Sequence, residues 1–167
     1  MEFLVTLKKQ AIMKKNLEQI ETSNQTLLST LYPKGLWQHF STLCLTPRDS
    51  RQEEAMAETI MRLALEQDLS VYKDEFYNIL VSLDPTPGFE HLPSICLQSH
   101  IDMVCVKDDD IESVFPVELI LADDGHKLTA KGTTLGADNG IGVATMMTLM
   151  SDSTIDHGPL ELLFTTM

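Results

Sequence analysis

The chain has 167 residues, 43% of them apolar, and carries 12 basic side chains against 25 acidic ones for a formal net charge of −13. That length suffices for one domain with a sizeable core, or for part of one. The negative balance argues against nucleic acid and anionic membrane as partners, since like charge repels at encounter.

A solvated acidic surface is the plainer account of the excess carboxylates, with cation binding the alternative. Cys44, Cys96 and Cys105 are odd in number and lack C-x-x-C spacing, which indicates reduced thiols and a cytoplasmic location. The N-terminus has only a short apolar run before Thr6-Leu7-Lys8-Lys9 and no small-residue cleavage site, so it makes a poor signal peptide. No stretch of the sequence is apolar for long enough to span a bilayer.

Residues 1–30 are polar, mixed in charge and weakly patterned, and read as an N-terminal extension that is weakly structured or a partial helix. From Pro33 onward, Leu36, Trp37, Phe40 and Leu43 recur at three and four residues, the stripe of a core-facing helix. Ser50-Arg51-Gln52-Glu53 fits a capping box and predicts a helix start there. Met56, Ile60, Leu63 and Ala64 form the following apolar stripe, and the helix is expected to end near Asp68.

Leu69–Lys73 and Asn78–Ser82 are strand candidates, carried by Val71, Tyr72, Ile79 and Val81. Asp84-Pro85-Thr86-Pro87-Gly88 breaks regular structure. Ser94–Ser99, with Ile95, Cys96 and Leu97 unbroken, reads as a strand covered on both faces of a parallel or mixed α/β sheet. His100 and Asp102 follow at its carboxyl end, where ligand sites of open α/β sheets gather.

Lys107-Asp108-Asp109-Asp110 reads as a solvated loop, because three adjacent carboxylates cannot all face one ion. Val117–Ala122 and Lys127–Lys131 flank Asp123-Asp124-Gly125-His126 as a hairpin that delivers the chain to Gly132. Val143, Met146, Met147 and Met150 have helical spacing and suit core filling. A last strand candidate runs over Leu160–Met167, so the fold class expected is α/β.

Two places could carry chemistry. In an extended segment residues two apart point the same way, so His100 and Asp102 lie side by side. Taken alone, the pair reads first as a hydrogen-bonded pair without a ligand, with a metal-binding imidazole and its orienting carboxylate as the alternative. Asp138 is either the N-cap of the helix it precedes or a ligand held in a buried-looking loop. Around it, the density of Gly132, Gly136, Gly140 and Gly142 implies positive φ or close approach of the backbone to something. The loop lacks the Lys-Ser/Thr of a P-loop and supplies an acid, which favours a cation over a phosphate.

Ser-His-Ile-Asp-Met-Val (99–104), Lys-Gly-Thr-Thr-Leu-Gly-Ala-Asp-Asn-Gly-Ile-Gly (131–142) and His-Gly-Pro-Leu-Glu-Leu-Leu-Phe-Thr (157–165) together resemble the aminoacyl-histidine dipeptidase branch of the M20 zinc peptidases. The likeness extends from about Pro33 to the last residue, and Thr133-Thr134-Leu135 favours this branch over the tripeptidases and deacylases. It implies an incomplete zinc-peptidase catalytic domain over 31–167, with a mixed sheet flanked by helices. It further implies that His100 ligates one metal, that Asp138 bridges two Zn2+ ions, that Asp102 is the catalytic-site carboxylate orienting a metal-bound group, and that the Asp138–Asn139 peptide is cis.

The implied activity is two-metal hydrolysis of small peptides of the Xaa-His type in the cytoplasm, with a homodimer as the form of the full-length enzyme. The family's Glu-Glu pair, which provides the general base and a ligand, follows the last strand, and further ligands and a lid domain lie beyond it. The chain stops at Met167. It is therefore expected to be the N-terminal part of such an enzyme, to bind zinc weakly and to be inactive alone. The alternative is a non-catalytic remnant that binds a partner through an uncovered sheet face.

Overall fold

The computed structural model describes residues 2–167, with side chains from Lys14 onward. In chain order the elements are α1 (Glu2–Leu28), α2 (Lys34–Leu45), α3 (Glu54–Glu66), β1 (Ser70–Lys73), β2 (Ile79–Leu83), β3 (Ile95–His100), β4 (Leu119–Ala122), β5 (Lys127–Ala130), α4 (Ala137–Ser151) and β6 (Leu160–Thr165). Among the described residues no helix is long and apolar enough to cross a membrane.

Four strands form a mixed sheet in the order β1-β2-β6-β3. β2 pairs antiparallel with both β1 and β6, whereas β3 runs parallel to β6 with Ser99 opposite Phe164 and His100 opposite Thr165. β4 and β5 form the separate hairpin expected from the sequence. Its turn is a short 3-10 segment, in which Asp123 and Asp124 take positive φ of 50° and 53° ahead of Gly125.

Alternation along the strands puts Ile79, Val81, Leu83, Leu160, Leu162 and Phe164 on one face, all buried. α3 and α4 lie over that face, α2 packs on α4, and α1 packs on α2 and β4. The stripe on α3 buries Met56, Ala57, Ile60 and Ala64, with Leu63 half-buried beside them, and α4 contributes Val143, Ala144, Met146, Met147 and Met150. The methionines are core filler, as their spacing implied. Phe40 and Leu43 of α2 are fully buried, and Trp37 meets Phe40 edge-on with centroids 6.0 Å apart.

The expectation that the Ser94–Ser99 strand is covered on both faces is not met. Ile95 is 54% exposed, and Cys96 and Gln98 are also exposed. The reason is topological: Cys96 and Gln98 point to the face that the described helices leave open, and Ile95, on the covered face beside Leu160, begins an edge strand with no neighbour on its outer side. A continuous apolar run reports burial only where elements are present on both sides.

The capping box is corrected as well. α3 starts at Glu54, and Glu53, which precedes it with φ −86° and ψ 0°, makes no side-chain cap bond. Glu53 is instead buried, accepting the Arg51 amide at 2.8 Å and the Met167 amide at 3.4 Å. Ser50 turns away from the helix to Asp102.

Met1 and the side chains before Lys14 lie outside the described part, and the first thirty residues are helical over Glu2–Leu28. The last turns of α1 belong to the core. Asn24 is fully buried, donates Nδ2–H to the Val117 carbonyl at 2.9 Å and accepts the Leu119 amide at 2.9 Å, while Leu28 is 4% exposed. Asn24 thereby ties α1 to the leading edge of β4.

Candidate metal centre

β3 ends at His100, and α4 begins close to it. The Ile101 amide continues the parallel ladder by donating to the Thr165 carbonyl at 2.8 Å, so the chain stays extended past His100. That geometry puts the His100 and Asp102 side chains together, as the period of two requires: Nδ1 of His100 is 3.0 Å from Oδ1 of Asp102. Asp102 is buried, and its other oxygen accepts the Ser50 hydroxyl at 2.7 Å.

The other imidazole nitrogen, Nε2, faces Oδ1 of Asp138 at 3.3 Å. Asp138 is not the buried carboxylate its loop suggested; its side chain is 99% exposed, while that of His100 is 39% exposed. Nor does it cap the helix. The flanking residue is Gly136, in the left-handed region at φ 72°, and the first-turn bond from a side chain comes from Asn139, whose Oδ1 accepts the Gly142 amide at 3.2 Å. Asp138 and Asn139 depart from helical φ/ψ, and the peptide between them is cis, as the resemblance implied. The Asp138 carboxylate points into solvent beside the imidazole.

The glycine density has an internal cause. A Cβ on Gly136 would lie 2.1 Å from the Met103 sulfur and 2.4 Å from Nη2 of Arg48, and the positive φ excludes most side chains in any case. The cation pressed against this loop is the Arg48 guanidinium, which is 1% exposed. Burial pushes its pKa down, and the charges of Cys44, Cys105 and Asp102 oppose that shift.

The arrangement of acceptors is chemically specific. With Nδ1–H donating to the Asp102 carboxylate, the Nε2 lone pair of a neutral His100 would face an Asp138 oxygen, acceptor against acceptor. A proton on Nε2 or a metal ion between them makes the contact favourable. Two ligands at about 2.0–2.1 Å from a tetrahedral ion stand about 3.3 Å apart, so the observed separation is that of one edge of a zinc polyhedron. Donor types and spacing therefore fit a metal.

The number of donors does not complete one. Among the described residues no group of three or more His, Cys, Asp or Glu side chains is placed to hold an ion, and zinc takes three or four protein ligands. Asp108, Asp109 and Asp110 are exposed on their own loop, as expected of solvated carboxylates. Sequence reasoning did not find Ser50 and Arg48. Ser50 gave a helix-start signal that outweighed any other, and a single arginine after a proline has no periodicity to reveal it.

No family model matches the chain. It is 41% identical over 141 residues, 83% of its length, to the cytosol non-specific dipeptidase of Escherichia coli, and spans 29% of that protein. The crystal structure of aminoacylhistidine dipeptidase from Vibrio alginolyticus superposes with a TM-score of 0.79 at 41% identity, over 84% of this chain and 29% of that one. A tripeptidase structure from Staphylococcus aureus shares the fold, with a TM-score of 0.63 at 24% identity over 78% of this chain and 35% of that one. The resemblance read from the three motifs thus extends through the greater part of the chain.

Proposed function

We propose that the chain forms the metal-binding edge of an M20-type peptidase that hydrolyses dipeptides, including those of the Xaa-His type, in the cytoplasm. The observation that carries the reading is the contact between His100 Nε2 and Asp138 Oδ1, at the spacing of two ligands of one ion. The likeness to two dipeptidases at 41% identity supports it, and the name of the E. coli protein supports the location.

In this reading His100 and Asp138 would hold the metal, the Asp138 carboxylate standing open to solvent beside the imidazole. A pair of zinc ions, when bound, supplies Lewis-acid polarisation of the scissile carbonyl and an ionised water at neutral pH. Asp102 holds His100 by Nδ1–H, which fixes the tautomer and turns the Nε2 lone pair outward. Ser50 in turn fixes Asp102 by donating to its second oxygen. Among the described residues no third ligand stands with His100 and Asp138, fewer than the three or four that zinc takes, so these 167 residues by themselves bind zinc weakly and turn over no dipeptide.

Calorimetric titration with zinc and a dipeptide hydrolysis assay on the purified chain test this. Expected are weak binding that disappears in His100→Ala and Asp138→Asn, and no turnover. Binding that both variants retain would place the ion elsewhere, and turnover by the chain alone would refute the requirement for further ligands.

A further inference from the structure

Arg48 is the largest fully buried side chain of the core, and among the described residues no carboxylate forms an ion pair with it. Burying a guanidinium without a counter-ion is unfavourable unless its N–H groups find acceptors in good geometry. Here Nη1 donates to the carbonyls of Ile101 at 3.2 Å and Asp102 at 3.3 Å, and Nη2 donates to the carbonyl of Gly136 at 2.7 Å. Nε finds no partner.

The two ends of the fork therefore grip different segments. Nη1 holds the extended stretch at Ile101 and Asp102, and Nη2 holds the residue two before Asp138. The backbone of the same segment is tied to the first of these: the Arg48 carbonyl accepts the Met103 amide at 2.8 Å, and the Ser50 amide donates to the Met103 carbonyl at 3.3 Å. On the second segment, Gly136 and Gly140 leave room for the guanidinium; a Cβ on Gly140 would lie 3.0 Å from Nη2. Apart from His100 itself, no other described side chain hydrogen-bonds to both loops.

From this geometry we infer that Arg48 is a positioning residue, whose guanidinium fork holds the His100–Asp102 loop and the Gly136–Asp138 loop at the distance that brings His100 Nε2 to Asp138 Oδ1. The inference rests on reading His100 and Asp138 as a pair that acts together. A lysine cannot replace it, because a single ammonium at the end of a flexible stem presents its donors from one point and cannot reach both loops as the planar fork does.

A metal-free measurement on the whole chain tests this. The 15N shift of His100 Nε2 is recorded at fixed pH 8, assigned by the loss of the signal in His100→Gln, and the change caused by Asp138→Asn is compared in the wild-type, Arg48→Met and Arg48→Lys backgrounds. A clear change in wild type that falls to under about half in both variants, with native circular dichroism, is the expected result. A general loss of stability in folded protein would not remove that coupling.

An undiminished change in either variant overturns the inference, and so does the absence of any change in wild type. If Arg48→Met fails to fold, Arg48→Lys, which keeps the charge, decides; failure of both makes Arg48 a folding requirement and overturns the narrower role. Zinc titration of the same samples separates the two readings. A further fall in affinity of about tenfold in Arg48→Lys is expected of a group that orients ligands. Wild-type protein that binds no zinc would count against the metal reading alone, leaving Arg48 to be decided by the shift comparison.

Discussion

Replacing Asn24 by alanine removes the one side chain among the described residues that hydrogen-bonds α1 to the β4 edge. Its amide makes two hydrogen bonds of 2.9 Å to main-chain groups, and the residue is fully buried. Truncation leaves the Val117 carbonyl and the Leu119 amide without partners, at about 1–3 kcal/mol for each group. Water entering the vacated space offsets part of this, so the lower half of the combined range, about 2–4 kcal/mol, is expected. Against a total stability of about 5–15 kcal/mol, that is a large fraction.

In urea, with a slope of about 2 kcal/mol per molar, the midpoint should fall by about 1–2 M. Asn24→Leu fills the volume but satisfies neither group, and should be no better than alanine. Asn24→Asp keeps the acceptor for Leu119 but turns a charge toward the Val117 carbonyl, and should be worse. Circular dichroism at increasing urea measures all three. A midpoint for Asn24→Ala indistinguishable from wild type would refute the view that residues before 30 are part of the folded core.

Three further outcomes are expected. Ser50→Ala removes a charge-assisted bond to Asp102 and should destabilise the chain by about 1.5 kcal/mol, with Ser50→Thr restoring most of it; urea unfolding of both variants checks this. The thiols should differ in reactivity: exposed Cys96 reacts fast with a disulfide reagent at pH 8, whereas Cys105 and Cys44 are slow. Burial, and then the charge and hydrogen bond of Asp49, push the Cys105 thiol up to about 11. Burial pushes Cys44 up to about 12, opposed by Arg48. Since Cys44 ionises more readily in the unfolded chain, its contribution is complete below the ordinary thiol value of 9.0 and is lost between there and about 12. The loss approaches about 1.4 kcal/mol per pH unit. Urea midpoints at pH 8 and 10 should therefore diverge more in wild type than in Cys44→Ala.

Much was legible in the sequence because it depends on neighbours in the chain. The apolar stripe of α3, the helical spacing of the α4 methionines and the alternation of β2 follow from local periodicity. So does the side-by-side placement of His100 and Asp102, which needs only an extended backbone. The loop around Asp138 was recognisable by its glycines, although the reason for them was not.

Whatever depends on contact across the chain was decided by the tertiary structure. Periodicity cannot say that β3 is an edge strand, since an apolar run looks the same with one covering layer as with two. Nor can it say that Ser50 serves a carboxylate 52 positions away rather than a helix end, because the same hydroxyl suits both acceptors. Asn24 and Arg48 are the clearest cases: isolated polar residues give no pattern, yet each bonds main-chain groups on a distant segment. The sequence alone determined which residues could carry the chemistry. The fold decided which of them meet, because a hydrogen bond between distant segments is specified only when both have been brought to one place.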